Sequence, residues 1–295
     1  MDIQRIGIVG CGLMGSGIAQ CAAESGCLVL VKEANEALLT KGLARIHSAW
    51  DRAVAKGKVS EDQRAGWTLN VKGTLEFAAL TECDLVVEAI PERLDLKLQT
   101  FTALDSLLGP KTILCTNTSS LSVAQISPVL AAYRLPRLAG LHFFNPVPMM
   151  PLVEVVRTLA TDEDTLATLR AFVQKLGKTA VMAPDAPGFI VNRLLIPYLL
   201  DAMRCAEQRL ATVEDIDTGM KLGCGHPMGP LHLSDFIGLD TMQSVAEVLF
   251  EAFGEPRFKA PALLRQLVAA GRLGRKTGSG FYRWEGEKRA EALPL

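Results

Sequence analysis

Ile6-Gly-Ile-Val-Gly10-Cys-Gly12-Leu-Met-Gly15 joins an apolar run to a glycine-rich turn, and the turn opens a stretch of helical periodicity. In this order the first glycine permits a tight turn, the second lets the backbone approach a pyrophosphate, and the third lets the helix pack on the strand. Phosphates placed there lie over a helix N-terminus, with its unpaired N–H groups and positive dipole end. Gly10, Gly12, Leu13, Met14 and Gly15 are therefore expected to hold a dinucleotide. A second apolar run, 28–31, follows at the interval a βαβ unit requires. At its end an acidic residue would hydrogen-bond the ribose 2′-hydroxyl of NAD. The chain has Lys32 there and Glu33 next. An ammonium favours a 2′-phosphate and a carboxylate favours a hydroxyl, so these two residues leave NAD and NADP both open.

Outward from this turn, apolar runs at 85–90, 112–116, 138–141, 152–156 and 179–182 alternate with amphipathic stretches of helical length. That alternation is the pattern of a wound parallel sheet. Between the second strand and a weak one near 69–71 lies more chain than a crossover needs. Positions 35–56 have helical periodicity and Ser60-Glu-Asp-Gln63 resembles a capping box, which predicts a helical hairpin standing off the sheet. The pattern stops at the breaker cluster Pro184-Asp-Ala-Pro-Gly188. Beyond it the periodicity predicts helices at 189–207, 213–222, 233–253 and 261–270, with the final residues frayed. The expected fold is α/β: a Rossmann-type wound sheet with a helical hairpin insert over residues 1–184, followed by an all-α C-terminal domain over 185–295.

A chain of 295 residues is long enough for two cores, and its net charge of −1 gives no electrostatic reason to expect nucleic acid or an anionic membrane as a partner. The N-terminus has no basic leader or cleavage pattern, and Gly, Pro or a charge interrupts every apolar stretch before membrane-spanning length. A soluble, cytoplasmic protein is expected. The seven cysteines are scattered without a Cys-x-x-Cys pair and read as buried thiols. Cys224-Gly-His226 lacks a second ligand pair, so no metal is expected.

In Gly140-Leu-His-Phe-Phe-Asn-Pro146, His142 falls just past a strand, and Glu154 lies inside the next apolar run. A neutral imidazole takes a proton from a hydroxyl, while a carboxylate on its other nitrogen fixes the tautomer and stabilises the imidazolium. A buried carboxylate needs such a partner. Ser119 and Ser120 follow the fifth strand, where helix N-capping is the plainer role and proximity to a ligand crevice the other.

Taken together, the glycine loop, Val87-Glu-Ala-Ile-Pro-Glu92, Asn117-Thr-Ser-Ser-Leu121, Gly140-Leu-His-Phe-Phe-Asn-Pro146, Pro187-Gly-Phe-Ile-Val-Asn-Arg193 and Gly274-Arg-Lys-Thr-Gly-Ser-Gly-Phe281 resemble the L-3-hydroxyacyl-CoA dehydrogenase family, short-chain 3-hydroxybutyryl-CoA enzymes included. The resemblance implies that His142 is the general base with Glu154 as its partner, and that Ser119 and Asn192 hydrogen-bond the reacting oxygen or the imidazole. It places Glu92, Lys97, Asn145 and Lys276 along the cofactor, with Lys97 as a local positive charge. It also implies an acyl-CoA substrate lying near the helical arm, with Ser48 and Lys56 as candidate contacts, and a homodimer formed through the helical domain. The family's usual residue at position 32 is Asp, so Lys32 is a departure: NAD is the implied cofactor, with NADP an alternative. Two other functions are weighed against this one. A sugar-acid dehydrogenase would need a carboxylate clamp in its pocket, and a non-catalytic NAD-binding protein would not need the full His142, Glu154, Ser119 and Asn192 set.

Overall fold

A computed structural model describes residues 1–295. The chain divides into two compact units, Met1–Phe189 and Ile190–Leu295. In the first, the order is β1 (Arg5–Val9), α1 (Leu13–Glu24), β2 (Leu28–Lys32), α2 (Glu36–Ala55), α3 (Glu61–Leu69), β3 (Val71–Thr74), β4 (Leu85–Glu88), α4 (Leu94–Leu107), β5 (Ile113–Thr116), β6 (Leu138–Phe143), β7 (Leu152–Arg157), α5 (Glu163–Lys175) and β8 (Thr179–Pro184). They form one eight-stranded sheet in the order β3-β2-β1-β4-β5-β6-β7-β8. Strands β4, β5 and β6 are buried at every position, as inner strands covered on both faces must be.

The sheet is not wholly parallel. β7 runs antiparallel to β6, and β8 runs parallel to β7, so a loop at 144–151 replaces a crossover helix. Apolar runs alone do not reveal strand direction, which is why the expectation of a parallel sheet fails at this edge. The unit boundary also lies five residues beyond the expected one. Asp185 explains this: its carboxylate accepts from Ser122 Oγ and from the N–H groups of Val123 and Ala124, tying the breaker segment into the first unit.

The helical insert forms as the periodicity predicts, and Ser60 and Gln63 make the reciprocal bonds of a capping box. It does not stand off the sheet, however. Leu39, Ile46 and Trp50 turn one face of α2 into the core, and Trp50 Nε1 donates to Glu24 of α1 at 2.8 Å. Only α3 is without buried residues.

The second unit comprises α6 (Val191–Glu207), α7 (Val213–Cys224), α8 (Pro230–Ile237), α9 (Leu239–Phe253), α10 (Ala262–Ala269) and a hairpin of β9 (Tyr282–Glu285) with β10 (Lys288–Ala292). The single helix expected at 233–253 is broken at Gly238, whose φ of +104° no helix contains. The unit is not all-α, and its tail is paired rather than frayed. Two buried carboxylates organise it: Asp235 accepts from the N–H groups of Phe281 and Tyr282 and from Trp284 Nε1, and Asp217 accepts from the Tyr282 hydroxyl and the start of α8. No helix of the chain is long and apolar enough to cross a membrane.

The cysteines divide by environment rather than sharing one. Cys11, Cys21, Cys27, Cys83 and Cys115 are buried, Cys205 is half-buried and Cys224 is exposed, which corrects the uniform reading. Burial pushes the Cys21 thiol up to about 11 and those of Cys11 and Cys83 up to about 12. Titration of the native protein with a chromogenic disulfide reagent should therefore show rapid reaction at Cys224, slower reaction at Cys205, and all seven thiols only after denaturation. Fast labelling of Cys11 in folded protein would contradict this burial.

Candidate active site

The glycine turn between β1 and α1 has the shape a pyrophosphate needs. Gly10 adopts φ +93°, and a Cβ on Gly15 would lie 1.8 Å from the Gly10 carbonyl oxygen, so neither position admits another residue. Around Gly12 the space is open, with nothing within 4 Å of a Cβ built there. Gly12 caps α1 without any side-chain hydrogen bond, leaving the first-turn N–H groups at an accessible end. An anionic diphosphate fits this cradle.

At the end of β2 the two candidate residues diverge, as successive residues of a strand must. Glu33 turns to the glycine loop, where its Oε1 accepts from the Cys11 N–H while Oε2 accepts from Ala34 N–H. Lys32 turns away and sets its ammonium 3.9 Å from the centre of the Phe77 ring. Burial, opposed by the nearby Glu33 and Glu76 carboxylates, lowers the Lys32 pKa from its ordinary value.

His142 and Glu154 are cross-strand partners in the β6–β7 register, so their side chains leave the same face side by side. Glu154 is fully buried, His142 is nearly so, and Nδ1 lies 2.6 Å from Glu154 Oε2. With Glu154 ionised, Nδ1 carries the proton, which leaves proton exchange to Nε2. The rings of Phe144 and Phe189 flank the imidazole at 4.6 and 5.5 Å between centroids. Phe189 holds φ +45°, a strained conformation for an aromatic residue, costing on the order of 1–3 kcal/mol. Its role beside His142 was not legible in sequence; the only signal was its place after Pro187-Gly188.

Ser119 lies beyond the C-terminal end of β5, next to β6 in the sheet. Neither Ser119 nor Ser120 caps an α-helix; a 3₁₀ segment, Val123–Val129, follows instead. Their turn is shaped by Glu92. Its Oε1 accepts from the Thr118 hydroxyl, from Ser119 N–H at 3.0 Å and from Ser120 N–H and Oγ. Burial opposes ionisation of Glu92, but the Lys97 charge and the donors from Thr118 and Ser119 outweigh it and hold its pKa below the ordinary value. Asn117, another residue whose role the motif alone did not disclose, accepts from Phe143 N–H at 2.9 Å and so fastens the end of β5 to that of β6.

Lys97 is not the open positive charge the sequence suggested. It is 1% exposed, donates to both oxygens of the buried Glu88 at 2.7 and 2.9 Å, and pairs with Glu92 at 3.2 Å. Asn145 is exposed on the loop after His142, and Ser48 and Lys56 are exposed at α2 and its C-cap. Asn192 lies in the first turn of α6 and Lys276 in the second unit, where it is ion-paired with Asp240.

Residues 5–186 match the family model for the NAD binding domain of 3-hydroxyacyl-CoA dehydrogenase, and residues 188–284 match that for its C-terminal domain. The chain belongs to the 3-hydroxyacyl-CoA dehydrogenase family. It is 47% identical over 283 residues to 3-hydroxybutyryl-CoA dehydrogenase of Mycobacterium tuberculosis, covering 95% of this chain and 98% of that protein. It is 45% identical over 291 residues to mouse mitochondrial hydroxyacyl-coenzyme A dehydrogenase, covering 96% and 92%. Among solved structures, (S)-3-hydroxybutyryl-CoA dehydrogenase from Ralstonia eutropha superposes with a TM-score of 0.92 at 43% identity, over 96% of this chain and all of that one. The chain is thus an oxidoreductase of this family, and its sheet unit is an NAD-binding domain.

The network around Lys97 predicts a stability phenotype. Lys97→Met leaves the buried Glu88 carboxylate uncompensated and should destabilise the apoprotein by about 3–5 kcal/mol. Thermal unfolding without cofactor checks this; an unchanged Tm with weakened NADH binding would return Lys97 to the cofactor surface.

Proposed function

We propose that the protein oxidises the 3-hydroxyl of a short-chain L-3-hydroxyacyl-CoA, 3-hydroxybutyryl-CoA above all, to the 3-ketoacyl-CoA with NAD, reversibly. The observation that carries this reading is the buried His142–Glu154 pair, a proton acceptor held in one tautomer within the same unit as a dinucleotide cradle. NAD, when bound, supplies the acceptor for the hydride that leaves C3. His142 Nε2 takes the hydroxyl proton as the carbonyl forms, and Glu154 stabilises the imidazolium that results. Ser119 and Asn192 are assigned to hydrogen bonds with the reacting oxygen, which orient it toward Nε2. Glu92, Asn145 and Lys276 are assigned to the cofactor, and Ser48 and Lys56 to CoA. The exposed apolar side chains Leu194, Leu210 and Leu222 support a homodimer formed through the second unit.

A CoA ester is favoured over a sugar acid because relatives acting on 3-hydroxybutyryl-CoA align over nearly the whole chain. Acetoacetyl-CoA should be reduced while free acetoacetate and L-gulonate are not turned over. His142→Gln should keep its fold and NADH binding yet lose about 10²–10⁴ in kcat. Near-wild-type turnover by this variant would remove His142 from the chemistry.

Glu33, rather than Lys32, is proposed to read the adenosine ribose. A carboxylate there accepts from a 2′-hydroxyl and repels a 2′-phosphate, so kcat/KM should favour NADH over NADPH by about tenfold or more. Glu33→Gln should narrow that ratio, and Lys32→Ala should leave it nearly unchanged. Preference for NADPH, abolished in Lys32→Ala, would reverse the assignment.

A further inference from the structure

Helix α2 meets the nucleotide cradle at Cys11. Arg45 Nη1 donates to the Cys11 carbonyl oxygen at 3.2 Å, and Gly42, one turn earlier, packs directly on Cys11. A Cβ on Gly42 would lie 2.5 Å from Cys11 Cβ and Sγ and 2.8 Å from that same carbonyl oxygen. On its other side the Cys11 N–H is held by Glu33. Both flanking contacts are fixed in place: α2 is anchored to α1 through Trp50 and Glu24, and Glu33 follows directly on the last residue of β2.

The carbonyl that Arg45 holds belongs to the Cys11–Gly12 peptide, whose N–H is that of Gly12. In a planar trans peptide the two groups point in opposite directions, so fixing the carbonyl fixes the N–H. Gly12 is the residue of the turn that comes closest to a pyrophosphate. We propose that Arg45 and Gly42 are positioning residues for the cofactor: together they set the plane of the Cys11–Gly12 peptide and aim the Gly12 N–H at the diphosphate. The guanidinium acts from behind the peptide, through its hydrogen bond, while adding positive potential beside an anionic ligand. This makes the helical insert part of the nucleotide site as well as a neighbour of it.

The inference rests on the glycine turn binding a dinucleotide, and the test separates the two. Full-length wild type, Arg45→Ala, Arg45→Lys and Gly42→Ala are compared by equilibrium NADH binding and by inhibition with ADP-ribose and with adenosine. Arg45→Ala should weaken NADH and ADP-ribose by about 5–20-fold, leave adenosine within twofold, and keep kcat at saturating NADH within twofold. Arg45→Lys should recover most of the loss, because an ammonium also donates to the carbonyl. Gly42→Ala should weaken the same two ligands with the guanidinium intact. Unchanged ADP-ribose inhibition in Arg45→Ala and Gly42→Ala would overturn the proposal, as would equal losses for adenosine and ADP-ribose. A wild type that binds no NADH would instead refute the dinucleotide reading beneath it.

Discussion

Glu154 is a carboxylate with no solvent exposure inside a strand, and the structure around it is arranged to make that tolerable. An isolated buried carboxylate would take up a proton or unfold its surroundings. Here the antiparallel register of β6 and β7 sets His142 directly opposite, at 2.6 Å. The arrangement depends on strand direction. A crossover to a parallel β7 would remove the loop at 144–151 and carry Glu154 to the other end of the sheet. The reversal needs a loop whose backbone carbonyls must find donors, and Lys178 satisfies two of them, donating to Val147 O at 2.6 Å and Met150 O at 2.8 Å. A lysine just before β8 therefore holds the loop that lets His142 and Glu154 face one another.

The same principle recurs two strands from β6. Glu88 at the end of β4 is fully buried, and Lys97, Thr116 and the Ile90 N–H supply its hydrogen bonds. Lys97 passes the connection to Glu92, and Glu92 shapes the turn that carries Ser119. Glu88, Lys97 and Glu92 thus hold one another in place. Their product is a set of loops whose backbone positions are fixed before any substrate arrives, which is what a proton transfer over hydrogen-bond distances requires.

Part of this structure was legible from the chain and part was not. The glycine turn was, because its spacing follows from steric demands that few other structures share. The eight strands were nearly all located, since buried strands are continuous apolar runs. The direction of β7 was not, because period-two patterning is the same in either direction. His142 and Glu154 read as partners on chemistry alone, and their side chains lie 2.6 Å apart. The burial of Lys97 is not legible, because it depends on carboxylates nine and five residues away being folded beside it. The terminal hairpin was missed for a similar reason: Lys288–Ala292 is polar, and it is held by pairing with β9 rather than by any apolar pattern of its own. Lys32 and Glu33 are ambiguous in sequence because a one-residue difference at a strand end decides which side chain meets the glycine loop.

The central claim is that His142 and Glu154 act as one device, and a double-mutant cycle tests it most directly. Values of kcat/KM for acetoacetyl-CoA reduction would be measured for wild type, His142→Gln, Glu154→Gln and the double variant, with NADH saturating. If Glu154 works only through the imidazole, the double variant should be no slower than His142→Gln, so the two losses are far from multiplicative. Multiplicative losses, each variant reducing the rate independently of the other, would contradict the account and assign Glu154 a role apart from the base.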